Sequence, residues 1–250
     1  MATITKTQVK GTFNQSKGLD SSFDMFVSFG GDGTMLRAVT YIKDYGIPIV
    51  GVNTGRLGFL STFKKENVRK LVTEFEAGHY TVEERSLVEV ELNSELEEFN
   101  GLNFALNEIT VGRKDTTSMI TVETWLDDEY LTSYWSDGLI VSTPTGSTGY
   151  SLSCGGPVIA PSAKSLVLTP IAPHNLNARP LVISDTTQIR LKVSGREKTH
   201  LVSLDSRIAD ISNGKEIRIK KAGFTIKMIE YKSESFLKTL RNKLLWGEDR

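Results

Sequence analysis

The chain has 250 residues, 39% of them hydrophobic and 24% charged, an ordinary globular composition at a length that allows one or two domains with a buried core. Lys+Arg and Asp+Glu each number 30, so the formal charge is zero, which argues against a broad electrostatic grip on nucleic acid and leaves room only for a local basic pocket. The single cysteine, Cys154, excludes an intrachain disulfide and fits a reducing, cytoplasmic compartment; no apolar run approaches the ~20 residues that span a bilayer, and the polar start Met1–Asp20 has no apolar stretch of a secretory signal.

The first element in chain order is an apolar run, Phe23–Phe29, which reads as a strand. It breaks into Gly30-Gly31-Asp32-Gly33-Thr34 and then into a helical pattern from Met35 to Ile42. Three glycines around one carboxylate, between a strand and a helix, make a place to hold phosphates. The glycines let a ligand approach the backbone, and the helix start offers free N–H groups and a positive dipole end. The carboxylate would repel a phosphate, so it needs another task, either coordinating a metal or taking a proton from an attacking hydroxyl. Ile47–Val52 follows as a buried strand, and Lys65–Ala77 as an amphipathic helix with Val68, Leu71, Val72 and Phe75 on one face. Strand, helix and strand at this spacing predict a Rossmann-like parallel sheet.

From Ser86 to Tyr231 the texture changes to strand after strand with period-two alternation, as in Val88-Glu89-Val90-Glu91-Leu92, which predicts an antiparallel β-sandwich. Helical spacing returns at Ser233–Leu245, and this last helix is expected to pack back on the α/β part. The fold class is therefore α/β plus all-β, with an N-terminal domain of residues 1–84 plus 232–250 and a C-terminal domain of residues 85–231.

Within the β region Thr143-Pro144-Thr145-Gly146-Ser147-Thr148-Gly149-Tyr150-Ser151-Leu152-Ser153-Cys154-Gly155-Gly156-Pro157 is crowded with glycines and hydroxyls. It lacks the Gly-Lys-Ser/Thr of a phosphate-binding P-loop and the Gly-x-Ser-x-Gly of a nucleophile elbow. Hydroxyls, backbone N–H groups and an aromatic ring suit a ligand with sugars and a flat base. Asn107-Glu108 interrupts two apolar runs, and Asp137-Gly138 precedes the strand that leads into the hydroxyl-rich segment. A carboxylate flanked by apolar strand residues is costly to bury without partners. Asp205, in Ser203-Leu204-Asp205-Ser206-Arg207, reads as a β-turn residue, and Cys154 as a small buried side chain. His79, His174 and His200 lie far apart and have no metal-site spacing.

Taken together these blocks resemble the bacterial ATP-NAD kinase family. The resemblance is carried by Phe29–Thr34, by Asn53-Thr54-Gly55-Arg56-Leu57-Gly58-Phe59-Leu60, by Asn107-Glu108, by Asp137-Gly138 with Thr143–Pro157, by Pro173–Leu181 and by the tail Thr239–Trp246. It implies an enzyme that moves the γ-phosphoryl group of ATP to the 2′-hydroxyl of the adenosine ribose of NAD. Asp32 would be the general base, and a divalent metal ion, Mg2+, the charge-neutralising cofactor, with no protein metal ligand assigned. Gly33 would approach the phosphates and Arg37 would supply positive charge. Phe59 would pack on adenine, Asn107 and Glu108 would bind adenosine-side groups, and Asp137 would hold the nicotinamide end. Thr145, Thr148, Gly149, Tyr150, Ser151, Leu152 and Ser153 would line the dinucleotide site, with Ala172 touching it. Members are homodimers or homotetramers whose sites use two subunits, and neither nucleic acid nor membrane is an expected partner. The chain departs from the family pattern at Trp135, where many relatives have arginine, at Gly149, where alanine is common, and at Arg207, where glutamine is frequent. Only 22 residues precede Phe23, so the parallel sheet is expected to lack its opening strand. A lipid kinase of the same fold and a catalytically silent dinucleotide-binding protein are the alternatives.

Overall fold

The computed structural model describes residues 19–92, 99, 101–115, 118–231 and 235–245. The chain divides into two compact units. One takes in the residues up to Arg85 and those from Thr225 onward, and the other is Ser86–Phe224.

The first unit begins with β1 (Phe26–Phe29), α1 (Asp32–Ile42) and β2 (Ile49–Asn53). β1 and β2 are parallel, with Phe26 opposite Ile49 and Phe29 opposite Val52. α1 buries Met35, Ala38, Val39 and Ile42, the i, i+3, i+4, i+7 spacing of one helical face. It starts at Asp32, earlier than the expected Met35. Gly31 is the extended N-cap (φ −94, ψ −171), and a carboxylate in the first turn complements the helix dipole. β3 (Phe63–Lys64) pairs with the end of β2, a 3-10 turn covers Lys65–Asn67, and α2 (Val68–Glu76) follows. On α2 Leu71 is buried and Val68 and Phe75 pack against the core, while Val72, expected on that face, is 45% exposed. The unit's core joins Val50, Val52, Phe63 and Leu71 to Ile229 and Tyr231, and the Tyr231 hydroxyl donates to Leu71 O at 3.1 Å. Buried Arg85 pairs with Glu230 and with Glu83. Residues 1–18, on which most of the expectation of a missing opening strand rests, lie outside the described residues. Among the described residues β1 pairs with β2 alone.

β4 (Thr81–Leu92) carries the chain into the second unit. There it continues through β5 (Phe104–Ala105), β6 (Glu108–Gly112), β7 (Ile120–Leu126), β8 (Glu129–Ser136) and β9 (Gly138–Ser142). A short helix α3 (Tyr150–Ser153) follows, then β10 (Ser165–Ile171), β11 (Leu181–Ser184), β12 (Ile189–Ser194), β13 (Thr199–Leu204) and β14 (Arg207–Ser212). β15 (Glu216–Glu230) leads back to the first unit, where Met228 stands opposite Ile49 in parallel pairing, and α4 (Phe236–Leu244) ends that unit. One antiparallel sheet runs β11-β10-β9-β6-β13-β14, and β15, β12, β7 and β8 form a second antiparallel run. Inward residues of both, among them Ile109, Val111, Leu139, Val141, Val122 and Leu191, share one core. This is the sandwich that the period-two alternation predicts.

Candidate active site

In the first unit the site is built at the C-terminal ends of the parallel strands, where the chain turns from β1 into α1 and from β2 into the loop Thr54–Ser61. Asn53 shapes that loop: its amide donates to Arg56 O at 2.7 Å and to Ser61 O at 3.2 Å, and its Oδ1 accepts Gly55 N–H at 2.8 Å. The loop then folds its backbone onto Asp32. Oδ2 accepts Phe59 N–H at 2.8 Å, and Oδ1 accepts Leu60 N–H at 3.1 Å and Ser61 N–H at 3.0 Å. Gly58 lies so close that a Cβ there would overlap the carboxylate. An ionised carboxylate has about four acceptor positions. Three are filled here, which fixes the side chain and leaves one direction for a further donor such as a hydroxyl.

Phe59 is half-buried, and the ammonium of Lys243, on α4, stands 5.8 Å from its ring centroid. Gly33 is exposed in the first turn of α1. Arg37 is also exposed, and five residues along α1 put it roughly 140° around the helix from Asp32. The structure therefore joins Asp32, Phe59 and Gly58, and it does not join Arg37 to Asp32. A cavity of about 490 Å³ opens on the same loop, lined by Asn53, Thr54, Gly55, Leu57, Lys64, Lys65 and Glu66.

In the second unit Asn107-Glu108 enters β6, and the turn after β9 docks on it. Thr143 N–H donates to Asn107 O at 2.9 Å, Thr143 Oγ1 donates to Leu106 O at 2.6 Å, and the same oxygen accepts Gly146 N–H at 3.1 Å. Gly146 fits because it lacks a Cβ, which would overlap the Asn107 backbone. At Gly149 a Cβ would stand 3.2 Å from Glu108 Oε2, so glycine in place of the common alanine relieves a tight contact. Asn107 Oδ1 and Glu108 Oε2 are buried and have no hydrogen-bond partner. Burial, reinforced by the nearby Asp205 carboxylate and opposed by the Tyr150 N–H, pushes the Glu108 carboxyl up to about 8. At neutral pH its side chain is therefore mostly a neutral acid, able to donate as well as accept.

The hydroxyls of the glycine-rich segment divide by role. Ser147 and Ser151 are fully buried; Ser147 Oγ donates to Pro144 O at 2.7 Å, and Ser151 Oγ pairs with Thr169 Oγ1 at 2.7 Å. Thr145 is buried, and its carbonyl accepts the Thr148 hydroxyl at 3.2 Å. Ser153 and Tyr150 are exposed, and Thr148, Gly149 and Leu152 are half-buried. The Tyr150 hydroxyl is raised above the usual phenol range by burial and by the negative potential of Cys154, Asp137 and Glu108.

Asp137 and Ala172 sit at the opposite end of β9 from Asn107-Glu108. Glu108 stands opposite Ser142, whereas Gly112 stands opposite Gly138, so about 13 Å of strand separates the two ends. Asp137 forms an ion pair with Arg113 at 2.9 Å, and its N–H donates to Ile171 O at 3.0 Å. Ala172, just beyond, has a left-handed φ of 43. Trp135 sets its ring at a tilt against His174 with centroids 4.5 Å apart, and its backbone N–H donates to Asn175 Oδ1 at 2.7 Å. Among the described residues no group of three His, Cys, Asp or Glu side chains is arranged to hold a metal ion.

Two residues escaped the sequence reading. Lys243 belongs to the tail block, but nothing in the sequence places it over Phe59. Asp205 is a turn residue as expected, yet its carboxylate also accepts backbone N–H groups of Leu106, Asn107 and Glu108.

A carboxylate fixed at a glycine-rich strand–helix turn, with a separate surface of amide, carboxyl and backbone groups, fits the class of nucleotide-dependent phosphotransferases. The family model for the ATP-NAD kinase N-terminal domain matches residues 4–80, and that for the ATP-NAD kinase C-terminal domain matches residues 106–231. The NAD kinase of Flavobacterium psychrophilum is 62% identical over 238 residues, covering 95% of this chain and 81% of that protein. That of Flavobacterium johnsoniae is 59% identical over 239 residues, covering 96% and 81%. Among solved structures, yeast NADH kinase complexed with NADH aligns with a TM-score of 0.82 at 27% identity, over 91% of this chain and 67% of that one. An NAD kinase from Archaeoglobus fulgidus in complex with ATP aligns with a TM-score of 0.75 at 33% identity, over 93% and 86%. The chain belongs to the ATP-NAD kinase family, and its activity is the phosphorylation of NAD.

Proposed function

We propose that the enzyme transfers the γ-phosphoryl group of ATP to the 2′-hydroxyl of the adenosine ribose of NAD, with Asp32 as general base. The observation that carries this reading is the Asp32 carboxylate itself, held by three backbone N–H groups with one acceptor position left. A hydroxyl on that lobe would pass its proton to the carboxylate as its oxygen attacks the γ-phosphorus and the bond to the ADP oxygen breaks. Positioned proton removal is worth ~10²–10⁴-fold in rate, with in-line alignment supplying much of the rest.

Phe59 offers a ring to the adenine, and Gly33, with no Cβ, gives phosphates access to the start of α1. Asn107 and Glu108 read adenosine-side groups through their unpartnered oxygens, joined by backbone and side chains of Thr148–Ser153. Thr145 and Ser151 act chiefly by bracing that segment, since their side chains are buried within it. Arg37 has the weakest support, because it faces away from Asp32. Asp137 and Ala172 serve the nicotinamide end. A homodimer or homotetramer is what membership of the family implies.

Among the described residues no side chains form a metal cage. A divalent ion, Mg2+, would accompany ATP, held largely by phosphates and water. Among the described residues no helix is long and apolar enough to cross a membrane, and the lone Cys154 is unpaired; both fit a cytoplasmic enzyme.

The test is to incubate the purified protein with NAD, ATP and Mg2+ and to read the product with a dehydrogenase specific for NADP. NADP formation is expected, because the coupled enzyme accepts only the 2′-phosphate. ATP consumption without a 2′-phosphorylated product would overturn the regiochemistry, and tight NAD binding without turnover would favour a silent binding protein.

A further inference from the structure

The hairpin between β13 and β14 has a two-residue loop, Asp205-Ser206, with Leu204 paired to Arg207. Asp205 has a left-handed φ of 52, a conformation that aspartate tolerates in two-residue hairpin loops. Its carboxylate contacts are unusually specific. Asp205 Oδ2 accepts Leu106 N–H at 3.0 Å, and Oδ1 accepts Asn107 N–H at 2.9 Å and Glu108 N–H at 3.3 Å. In return Asp205 N–H donates to Glu108 O at 3.0 Å. The next charged residue, Arg207, donates to Leu102 O and Phe104 O and lies over the Phe104 ring at 5.5 Å, so it ties down the segment that leads into the same turn.

We propose that Asp205 is a positioning residue for NAD recognition: its carboxylate gathers three consecutive backbone N–H groups and so aims the Asn107 and Glu108 side chains at the dinucleotide. The proposal rests on the reading that Asn107 and Glu108 bind the adenosine side of NAD. It explains how two unpartnered oxygens, Asn107 Oδ1 and Glu108 Oε2, stay buried in one orientation without a ligand. A carboxylate that bonds only backbone leaves both side chains free to serve the ligand. Aspartate suits this loop position by its backbone preference alone; the bonds to three N–H groups outside the hairpin go beyond what the loop requires.

Asp205 also acts on Glu108 through its charge. The groups facing Glu108 are the Asp205 carboxylate on the hairpin and the Tyr150 N–H on α3. The Tyr150 hydroxyl lies within electrostatic reach of it. Burial raises the Asp205 carboxyl itself, opposed by the N–H groups of Asn107, Leu106 and Glu108 and then by the charge of Arg207. With Glu108 titrating at about 8, the donor form that meets an acceptor on the ligand predominates below that pH and is lost above it. Asp205→Asn removes one cause of that elevation.

The test compares wild type with Asp205→Asn in steady-state kinetics for both substrates and in direct NAD binding from pH 6 to 9. Loss of aim is expected to raise KM for NAD by about 10–100-fold while KM for ATP stays within about twofold. The pH at which NAD binding weakens is expected to move downward. KM for NAD within twofold of wild type, or equal rises for both substrates, would overturn the proposal. Should the variant fail to fold, Asp205→Glu, which keeps the charge but displaces it by one methylene from the three N–H groups, takes its place: a rise in KM for NAD of at least about fivefold with KM for ATP unchanged is expected, and an unchanged KM for NAD would overturn the proposal. Wild-type NADP formation tests the functional reading separately, so failure of one is distinguishable from failure of the other.

Discussion

Replacing Gly58 by alanine adds one methyl group to the protein and places it where the Asp32 carboxylate already lies. The backbone at Gly58 is not left-handed, so alanine meets no conformational penalty there, and the whole effect comes from the overlap. Either the loop or the carboxylate must move. If the carboxylate moves, three charge-assisted bonds to Phe59, Leu60 and Ser61 are weakened, each worth about 1.5–3 kcal/mol. If the loop moves, overpacking costs about 1–3 kcal/mol. We expect a stability loss of about 2–4 kcal/mol, well below the ~5–15 kcal/mol of a typical fold, so the variant remains folded. Displacement of a catalytic oxygen by about 1 Å lowers turnover roughly 100-fold. The assays are urea unfolding and coupled NADP formation, with Gly223→Ala, whose Cβ would meet nothing within 4 Å, as control. A Gly58→Ala enzyme with wild-type turnover would refute the claim that this loop holds Asp32 in its working position.

Gly33→Ala tests a different property of the same turn. A Cβ there meets nothing within 4 Å and Gly33 is helical, so alanine is expected to stabilise the fold by about 0.5–1 kcal/mol. If phosphates approach the Gly33 backbone, KM for ATP rises at the same time; a stabilised enzyme with unchanged KM for ATP would remove Gly33 from the site. His200 is fully buried, with Nδ1 bonded to Asn213 Oδ1 at 2.9 Å, Nε2 unpartnered, and its titration lowered chiefly by burial. The unfolded chain binds this proton more readily, so stability is full above the ordinary histidine value of about 6.5 and falls as pH drops below it. His200→Gln is expected to flatten the dependence of the urea midpoint between pH 7.5 and 5, and an unchanged slope would contradict this. Lys243→Ala removes a cation–π contact with Phe59 worth about 0.5–1 kcal/mol at an exposed site, which should appear as a small fall in the urea midpoint.

Much of this molecule was legible in its sequence because period and turn chemistry agree with burial. The period-two strands after Ser86 form the antiparallel sheets that their alternation predicts, and Gly30–Thr34 follows β1 as the sequence suggests. Asn107-Glu108 was legible because a polar pair cannot interrupt two apolar runs without a reason. The helix start at Asp32 was missed because glycine is a poor helix former, and its tolerance in a first turn depends on context. Val72 was misplaced because four positions on a nine-residue helix fit the apolar stripe but the core accepts only the seam through Leu71. The clamp made by Asp205 was illegible for a deeper reason. Its partners are backbone N–H groups 97 to 99 residues away in sequence, and backbone donors leave no side-chain signature.

The central claim, that Asp32 takes the proton from the ribose hydroxyl of NAD, is tested most directly by turnover and NAD binding measured on one Asp32→Asn preparation. Asparagine keeps the shape and one acceptor oxygen but cannot accept the proton. The account predicts NAD affinity within a few-fold of wild type and NADP formation at least ~100-fold slower. Turnover near the wild-type rate with affinity intact would contradict it.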